Sequence, residues 1–123
     1  GGTETILLVE DEDPVRVLSG RILRSLGYNV LDAANAEQAL EIARGHKEAI
    51  HLVLSDIVMP NMNGPKMVEA LRKMRGDFKT MYCSGFADDQ ILEYGLKNHS
   101  AVILAKPFTA PQLAACVRHV LDG

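Results

Sequence analysis

Residues 5–13 read TILLVEDED, an apolar run that passes directly into four acidic side chains. The run has no polar side chain between Ile6 and Val9, as expected for a strand that helices cover on both faces. Strands of that kind belong to parallel sheets, in which a helix usually connects each strand to the next. The run therefore predicts an α/β fold, with its acidic end at the carboxyl edge of the sheet.

The residues that follow the acidic group predict a helix. Asp13 can cap it, Pro14 fits its first turn, and Gly27 can end it. Between these ends the apolar residues at helical spacing are Val15, Leu18, Ile22 and Leu26. This strand and helix are the first of several such pairs along the chain.

Four further apolar runs alternate with helical patterns. The runs predicted as strands are residues 28–33, 51–55, 80–83 and 101–105. The helical patterns are a capping box at Asn35 and Gln38, an apolar set of Met67, Leu71 and Met74 that ends at Gly76, a weaker pattern over residues 88–96, and a capping box at Thr109 and Gln112 followed by Leu113, Cys116, Val117 and Val120. Five strands alternating with five helices predict a doubly wound, five-stranded parallel sheet with helices on both faces.

Size and charge limit the possible functions. The chain has 123 residues, a length typical of one domain, and a net charge of −3 without a run of basic residues. This charge argues against nucleic acid or an anionic membrane as the main partner. No apolar stretch approaches the ~20 residues of a membrane span, and the first residues lack a signal-peptide pattern.

Two further features concern the compartment and the domain boundary. Cys83 and Cys116 both lie in apolar surroundings, and two separated thiols do not form a disulfide framework. We therefore expect a reducing, cytoplasmic compartment. Residues 1–4 are interpreted as a linker or a tag remnant, and residues 5–123 as the domain.

Polar side chains follow four of the predicted strands. Glu10 and Asp11 follow the first strand, Asp56 the third, Ser84 the fourth and Lys106 the fifth. In open α/β sheets, ligands bind beyond the carboxyl ends of the strands. We therefore expect these side chains to meet at one edge of the sheet.

The carboxylates at this edge are candidates for binding a metal ion. Glu10, Asp11 and Asp56 would repel one another unless a positive charge lies between them, and oxygen ligands suit a hard cation such as Mg²⁺. The alternative is an acidic helix N-terminus, where negative charge is favourable in any case. We assign Glu12 and Asp13 to that alternative and Asp11 to the metal, with Glu10 acting through water.

The remaining groups suggest phosphoryl transfer. Asp56 is a candidate nucleophile, and an attack on phosphorus requires that the incoming negative charge be neutralised, which Lys106 and a cation can do. The Ser84 hydroxyl could reach a phosphoryl oxygen on Asp56, and a cis bond before Pro107 would aim Lys106 inward. Taken singly, each residue also fits a turn aspartate, a loop hydroxyl or a solvated lysine.

Taken together, these residues resemble a known family. Glu10-Asp11, residues 55–64 (SDIVMPNMNG), Ser84-Gly85 and Lys106-Pro107-Phe108 are similar to the motifs of the receiver domain of two-component response regulators. The resemblance runs from Thr5 to the end of the chain. It implies a flavodoxin-like sheet with the strand order 2-1-3-4-5.

The resemblance also implies roles for the matching residues. Asp56 would accept a phosphoryl group from a phosphohistidine on a histidine kinase or a histidine phosphotransfer domain, and Ser84 and Lys106 would contact that group. The implied ligands of Mg²⁺ (or Mn²⁺) are Asp11, Asp56, the backbone carbonyl of Val58 and, partly through water, Glu10. Such a domain is not an enzyme with a separate substrate, although it would take phosphate from small donors and lose it unaided.

Phosphorylation is implied to act as a switch. It would draw Ser84 and its loop inward and change the partner preference of the face around residues 88–96, the fifth strand and the last helix. The aromatic residue that many family members carry three places before the lysine is Ile103 here, so switching is expected to use other packing changes. Val58 and Phe86 replace polar side chains that could orient an attacking water, which predicts slow loss of the phosphoryl group.

Residues 2–12 and 84–89 are similar to receivers at the C-termini of hybrid sensor histidine kinases. A free-standing regulator is the alternative, either as a monomer or as a weak dimer. Two other classes stay open on the residues alone: an aspartate-nucleophile phosphatase, and a binding module that never turns over. Val58 argues against the phosphatase, because such enzymes have a second aspartate two places after the first.

Overall fold

A computed structural model of the chain describes residues 2–85 and 102–123. The elements in these two ranges are β1 (Thr5–Val9), α1 (Asp13–Ser25), β2 (Asn29–Ala33), α2 (Ala36–Gly45), β3 (Leu52–Asp56), α3 (Gly64–Arg75), β4 (Lys79–Ser84), β5 (Val102–Ala105) and α4 (Ala110–Asp122). The helical pattern predicted over residues 88–96 lies outside the described residues, as do Phe86 and Ala101.

The strands form one parallel sheet in the order β2-β1-β3-β4-β5. The predicted α/β class, the strand order and the parallel direction are therefore confirmed. All five residues of β1 and all five of β3 are buried, which explains why both strands are apolar on both faces. These two central strands carry the acidic side chains of the carboxyl edge.

Within residues 2–85 and 102–123, two helices pack on each face of the sheet. On one face, α2 and α3 pack against the strands through the buried residues Ala36, Ala39, Ala43, Met67, Val68 and Leu71. On the other face, α1 and α4 contribute Leu23, Leu113, Val117 and Val120. Each buried leucine, valine or methionine contributes about 1.5–3 kcal/mol, so the two apolar layers hold the strand ends in fixed positions.

Several helix ends follow from local sequence. Asn35, Asn63 and Thr109 each cap a helix with a side-chain oxygen that accepts a hydrogen bond from a backbone N–H in its first turn. At Thr109 both bonds of the predicted capping box are present. Gly27, which follows α1, has a φ of 97°, a left-handed conformation that favours glycine.

Two expectations for α1 are wrong. Asp13 is the first residue of the helix, and the capping position belongs to Glu12, whose side chain makes no capping bond. Leu18 is 56% exposed, whereas Ser19, Gly20 and Leu23 form the buried face. The small side chains of Ser19 and Gly20 let the helix approach the sheet closely. The buried face of α1 is therefore rotated relative to the face that its large apolar residues predicted.

Residues before β1 contact the rest of the domain. The backbone N–H of Gly2 donates to the carbonyl of Leu26, and Glu4 pairs with Arg118 of α4 at 2.7 Å. This guanidinium holds the pKa of Glu4 well below its ordinary value, at about 2. No helix in the described part of the chain has the length and apolar composition that a bilayer span requires.

The start of α3 lies directly against the end of β3. The backbone N–H of Gly64 donates to the carbonyl of Ile57 at 2.7 Å. A Cβ at residue 64 would lie 2.2 Å from the carbonyl oxygen of Asp56 and 3.1 Å from Oγ of Ser55. Only glycine allows this approach, so residue 64 determines how closely α3 supports the strand tip.

We expect Gly64→Ala to lower the free energy of unfolding by about 1–3 kcal/mol, because the new Cβ forces the backbone of α3 away from β3. The matched control is Gly45→Ala in α2, where nothing lies within 4 Å of the added Cβ. That variant should be neutral or more stable by about 0.5–1 kcal/mol. Urea unfolding of both variants measures the difference, and equal stabilities would contradict the close approach.

Candidate functional site

The carboxyl ends of four strands open into one cleft. The cleft has a volume of about 440 Å³ and is lined by Asp11, Glu12, Asp56, Val58, Cys83, Ser84, Gly85 and Lys106. Asp56 is the last residue of β3, and Ser84 is the last residue of β4. The structure therefore brings to one place the residues that the sequence predicted at this edge.

Lys106 lies between two buried carboxylates. Its Nζ is 2.7 Å from Oε1 of Glu10 and 2.7 Å from Oδ1 of Asp56. Both carboxylates are almost inaccessible to solvent, with side chains 4% and 6% exposed. The peptide bond between Lys106 and Pro107 is cis. One ammonium group thus faces two buried carboxylates, which would have an excess of one negative charge if both were ionised.

Burial and this charge excess change the pKa values of the site. Burial raises the pKa of Asp56 to about 9, the hydrogen bond and the charge of Glu10 add to the rise, and Lys106 opposes it. Burial acts on Glu10 in the same direction, but hydrogen bonds to Asp56, to Lys106 and to the backbone of Glu12 outweigh it and lower the pKa of Glu10. The pair therefore shares one proton at neutral pH, and the direction of the two pKa shifts favours Asp56 as its position.

The lysine responds in the complementary way. Burial alone would lower the pKa of Lys106, but its hydrogen bonds to Asp56 and Glu10 outweigh burial and raise the pKa. Lys106 therefore stays protonated and remains a cation next to Asp56. A group that forms at Asp56 and carries negative charge would find this ammonium already in position.

The acidic residues fit a divalent cation. Glu10, Asp11 and Asp56 each offer a carboxylate oxygen, and these oxygens lie within 4.8 Å of one another. A set made only of oxygen ligands suits Mg²⁺, and the exposed carboxylate of Asp11 keeps the set open to solvent. Receiver domains generally bind Mg²⁺ through such acidic residues. Val58 also lines the cleft, together with Asp11 and Asp56.

Other lining residues form the wall on the β4 side. Ser84 is buried, and its carbonyl accepts a hydrogen bond from the backbone N–H of Lys106 at 3.0 Å, which ties the two strand tips together. Burial raises the pKa of the Cys83 thiol to about 12, so this side chain stays neutral. Cys83 is therefore a neutral part of the wall.

Hydrogen bonds of neighbouring residues fix the backbone at Asp56. Ser55 is buried, and its Oγ donates to the carbonyl of Asp56 at 2.8 Å. The backbone N–H of the next residue, Ile57, donates to the carbonyl of Cys83 at 3.1 Å. These contacts fix the backbone at the end of β3, from which the Asp56 side chain lines the cleft.

Sequence reasoning missed two contacts of the acidic residues. Oε1 of Glu12 lies 3.3 Å from Nζ of Lys106, although this side chain is exposed and such a pair contributes at most about 1 kcal/mol. Arg16 bonds the backbone carbonyl of Glu10 through one guanidinium nitrogen and Asp13 through the other. In the sequence, Arg16 is only a polar position of a helix, and no local pattern distinguishes it from other surface arginines.

Comparison with known proteins agrees with this arrangement. A sequence model of the family described as "Response regulator receiver domain" matches residues 6–118. The chain is 41% identical over 121 residues to "Sensor kinase CckA" of Brucella abortus, an alignment that covers 98% of this chain and 13% of that protein. It is 34% identical over 103 residues to "Response regulator receiver protein CpdR" of the same organism, with 84% of each chain covered.

A solved structure is similar in both fold and sequence. The crystal structure of the receiver domain from the hybrid histidine kinase CckA superposes with a TM-score of 0.79 at 37% identity. The match covers 95% of this chain and 98% of that one. By contrast, the chain spans only a small part of the full-length sensor kinase, so the activity of that whole protein does not follow from the likeness.

We expect the raised pKa of Asp56 to reduce stability as the pH rises. The ordinary pKa is 3.8, and the folded value is about 9. Between these values the unfolded chain has released its proton and the folded chain keeps it, so the free energy of unfolding falls with rising pH. Asp56→Asn removes this effect. Without a divalent cation the variant should be more stable than the wild type by on the order of 2 kcal/mol at about pH 8.

The difference should shrink as the pH falls and disappear only below about pH 3, under the ordinary pKa of 3.8, where Asp56 is protonated in both states. Urea unfolding across this pH range, with a chelator present, measures it. Asp77→Asn is a suitable control, because the side chain of Asp77 is fully exposed and does not line the cleft. A constant difference between Asp56→Asn and the wild type at all pH values would contradict the raised pKa.

Proposed function

The chain belongs to the response regulator receiver domain family, and we propose that it accepts a phosphoryl group on Asp56 in a Mg²⁺-dependent phosphorelay. The observation that carries this proposal is the position of Asp56, a buried carboxylate 2.7 Å from the ammonium of Lys106 in a cleft that three carboxylates border. The donor would be a phosphohistidine on a histidine kinase or a histidine phosphotransfer domain.

The proposed transfer is a displacement at phosphorus. An oxygen of the Asp56 carboxylate forms the new bond to phosphorus, while the bond between phosphorus and the donor histidine nitrogen breaks and its electron pair stays on that nitrogen. Asp56 must be ionised to attack, so the proton that burial keeps on it has to leave first. Lys106 already lies in contact with Asp56, where it can neutralise a phosphoryl oxygen.

The proposed metal ligands are Asp11, Asp56 and the backbone carbonyl of Val58, with Glu10 acting partly through water. A bound Mg²⁺ would supply positive charge that lowers the pKa of Asp56 and offsets the charge of the incoming phosphoryl group. Ser84 lines the same cleft, and its hydroxyl would donate to the phosphoryl group. The same residues would allow self-phosphorylation from small donors.

The switch is proposed to act through β4 and β5. Ser84 ends β4, and its movement towards a phosphoryl group would draw the β4 tip inward. Tyr82 and Ile103 are opposite one another in the register of these strands, with Tyr82 buried and Ile103 half-buried. An aliphatic side chain at residue 103 would respond by repacking against Tyr82 instead of by turning an aromatic ring. This repacking would change the partner preference of the surface near β5 and α4.

The surrounding protein is proposed to be a hybrid sensor histidine kinase, because the chain is 41% identical to part of such a sensor kinase. Residues 5–123 would form the receiver and residues 1–4 the end of a linker. The two free cysteines fit a reducing, cytoplasmic compartment. A free-standing regulator, monomeric or weakly dimeric, would use the same chemistry.

Labelling with a small phosphodonor tests the proposed acceptor. Incubation with acetyl phosphate and Mg²⁺ should add one phosphoryl group to the intact protein, as seen by mass spectrometry. Asp56→Asn should abolish the adduct, whereas Asp32→Asn, a matched change near the end of β2, should leave it unchanged. Equal labelling of Asp56→Asn and the wild type would contradict the assignment. Steady phosphate release from small phosphoesters would instead support the phosphatase alternative.

We also expect the phosphorylated domain to lose its phosphate slowly. The half-buried Val58 lines the cleft and offers no side-chain hydrogen bond to an attacking water. Val58→Asn keeps the backbone carbonyl and adds a polar group, so it should speed the loss by roughly tenfold, about 1.4 kcal/mol of barrier. Phosphate loss after removal of the donor gives both rates. Rapid loss from the wild type without a phosphatase would count against this expectation.

A further inference from the structure

The acidic turn after β1 is tied to α1 by a single guanidinium group. Arg16 donates from one nitrogen to the backbone carbonyl of Glu10 at 2.9 Å and from the other to Oδ1 of Asp13 at 2.6 Å. Its side chain is only 17% exposed, so the group is fixed against the protein and not extended into solvent. A side chain of α1 thus joins the two ends of residues 10–13.

The turn also closes on itself. The backbone N–H of Glu12 donates to Oε2 of Glu10 at 3.0 Å, and the backbone N–H of Arg16 donates to the carbonyl of Glu12 at 2.9 Å. Asp11, which lies between the two residues that Arg16 joins, is itself exposed. Four consecutive carboxylates repel one another, so without the guanidinium the turn would be expected to open. The bridge therefore restrains the chain on both sides of Asp11.

We infer that Arg16 is a positioning residue for the divalent cation: it holds Asp11 in the geometry that binding needs without contacting the ion. The inference rests on the proposed function, since it concerns the same cation site. It adds a residue outside the set Glu10, Asp11, Asp56 and Val58, and it assigns a purpose to a half-buried guanidinium group that the transfer chemistry does not use.

The direction of the effect separates positioning from simple electrostatics. Arg16 is positive and close to a cation site, so its charge alone weakens cation binding, and its removal would tighten binding. Loss of positioning has the opposite effect, because it weakens cation binding. Residues that orient metal ligands from behind typically change metal affinity by about 10- to 100-fold. Arg16→Gln should therefore weaken Mg²⁺ binding by about 10-fold if the bridge matters more than the charge.

Lysine at this position provides a second test. Arg16→Lys keeps the positive charge, but a single ammonium does not reproduce the fork that spans a carbonyl and a carboxylate. This variant should weaken Mg²⁺ binding by a factor close to that of Arg16→Gln. A charge-only role would leave Arg16→Lys like the wild type.

Arg24 supplies a matched control on the same helix. Its guanidinium donates to the backbone carbonyl of Val30 at 3.1 Å and lies 3.8 Å from Asp32, so it too joins a carbonyl and a carboxylate. These contacts are at the other end of α1, away from the cleft. Arg24→Gln should leave Mg²⁺ affinity unchanged, although it removes the same kind of interaction.

The experiment measures Mg²⁺ binding to the chain by isothermal titration calorimetry, in parallel with urea unfolding in the absence of Mg²⁺. Mg²⁺ binding is compared in the absence of urea for four proteins: the wild type, Arg16→Gln, Arg16→Lys and Arg24→Gln. The unfolding curves show whether each of them is folded under those conditions. We expect weaker binding in both Arg16 variants and wild-type binding in Arg24→Gln. An Arg16→Gln variant that unfolds is replaced by Arg16→Lys, which keeps the charge balance of the turn.

The outcomes separate this inference from the proposed function. Mg²⁺ binding by the wild type, with unchanged or tighter binding in both Arg16 variants, overturns the positioning role and leaves the phosphoacceptor proposal intact. Equal weakening in the Arg24 control also overturns it, because the effect would then be a general one of α1. A wild-type protein that does not bind Mg²⁺ contradicts the proposed function itself.

Discussion

The site depends on one electrostatic constraint: two buried carboxylates share a single ammonium group. Nζ of Lys106 lies 2.7 Å from both Glu10 and Asp56, and the interior around them is too poor a solvent to leave the second negative charge uncompensated. Because of this imbalance the pKa of Asp56 is raised, and the carboxyl group retains its proton at neutral pH. A site in this condition has a strong preference for added positive charge. In the proposed function, a bound divalent cation would relieve this imbalance and allow Asp56 to ionise.

The fold maintains this imbalance because it keeps the charged groups from moving apart. β1 and β3 are the central pair of the sheet, and every residue of both strands is buried. Glu10 and Asp56 follow or end these strands, so neither can relax towards solvent without disturbing the core. Gly64 and Ser55 fix the Asp56 backbone from the α3 side. The apolar layers thus supply the free energy that holds like charges in proximity.

The two sides of the cleft differ in character. On the β1 side, carboxylates dominate and hydrogen bonds close the turn, with Arg16 joining its ends. On the β4 side, the wall consists of Ser84, a neutral thiol and a glycine. A cation would be held by the first side and a phosphoryl group sensed by the second. Lys106, which follows β5 and contacts the β1 and β3 tips, connects the two.

Local patterns in the sequence determined the buried strands, several helix starts and the position of the cleft. Continuous apolar runs identified the buried strands, the cap residues Asn35 and Thr109 identified helix starts, and the polar residues after the strands identified the cleft, because each of these features depends on neighbours along the chain. The pattern failed at Leu18, since small residues at positions 19 and 20 rotated the buried face of α1. Only the tertiary structure decided the proton on Asp56, the close approach at Gly64 and the bridge made by Arg16. Those features depend on distances between backbone and side chains that folding brings together, as with Lys106 and Glu12, which are 94 positions apart in the chain.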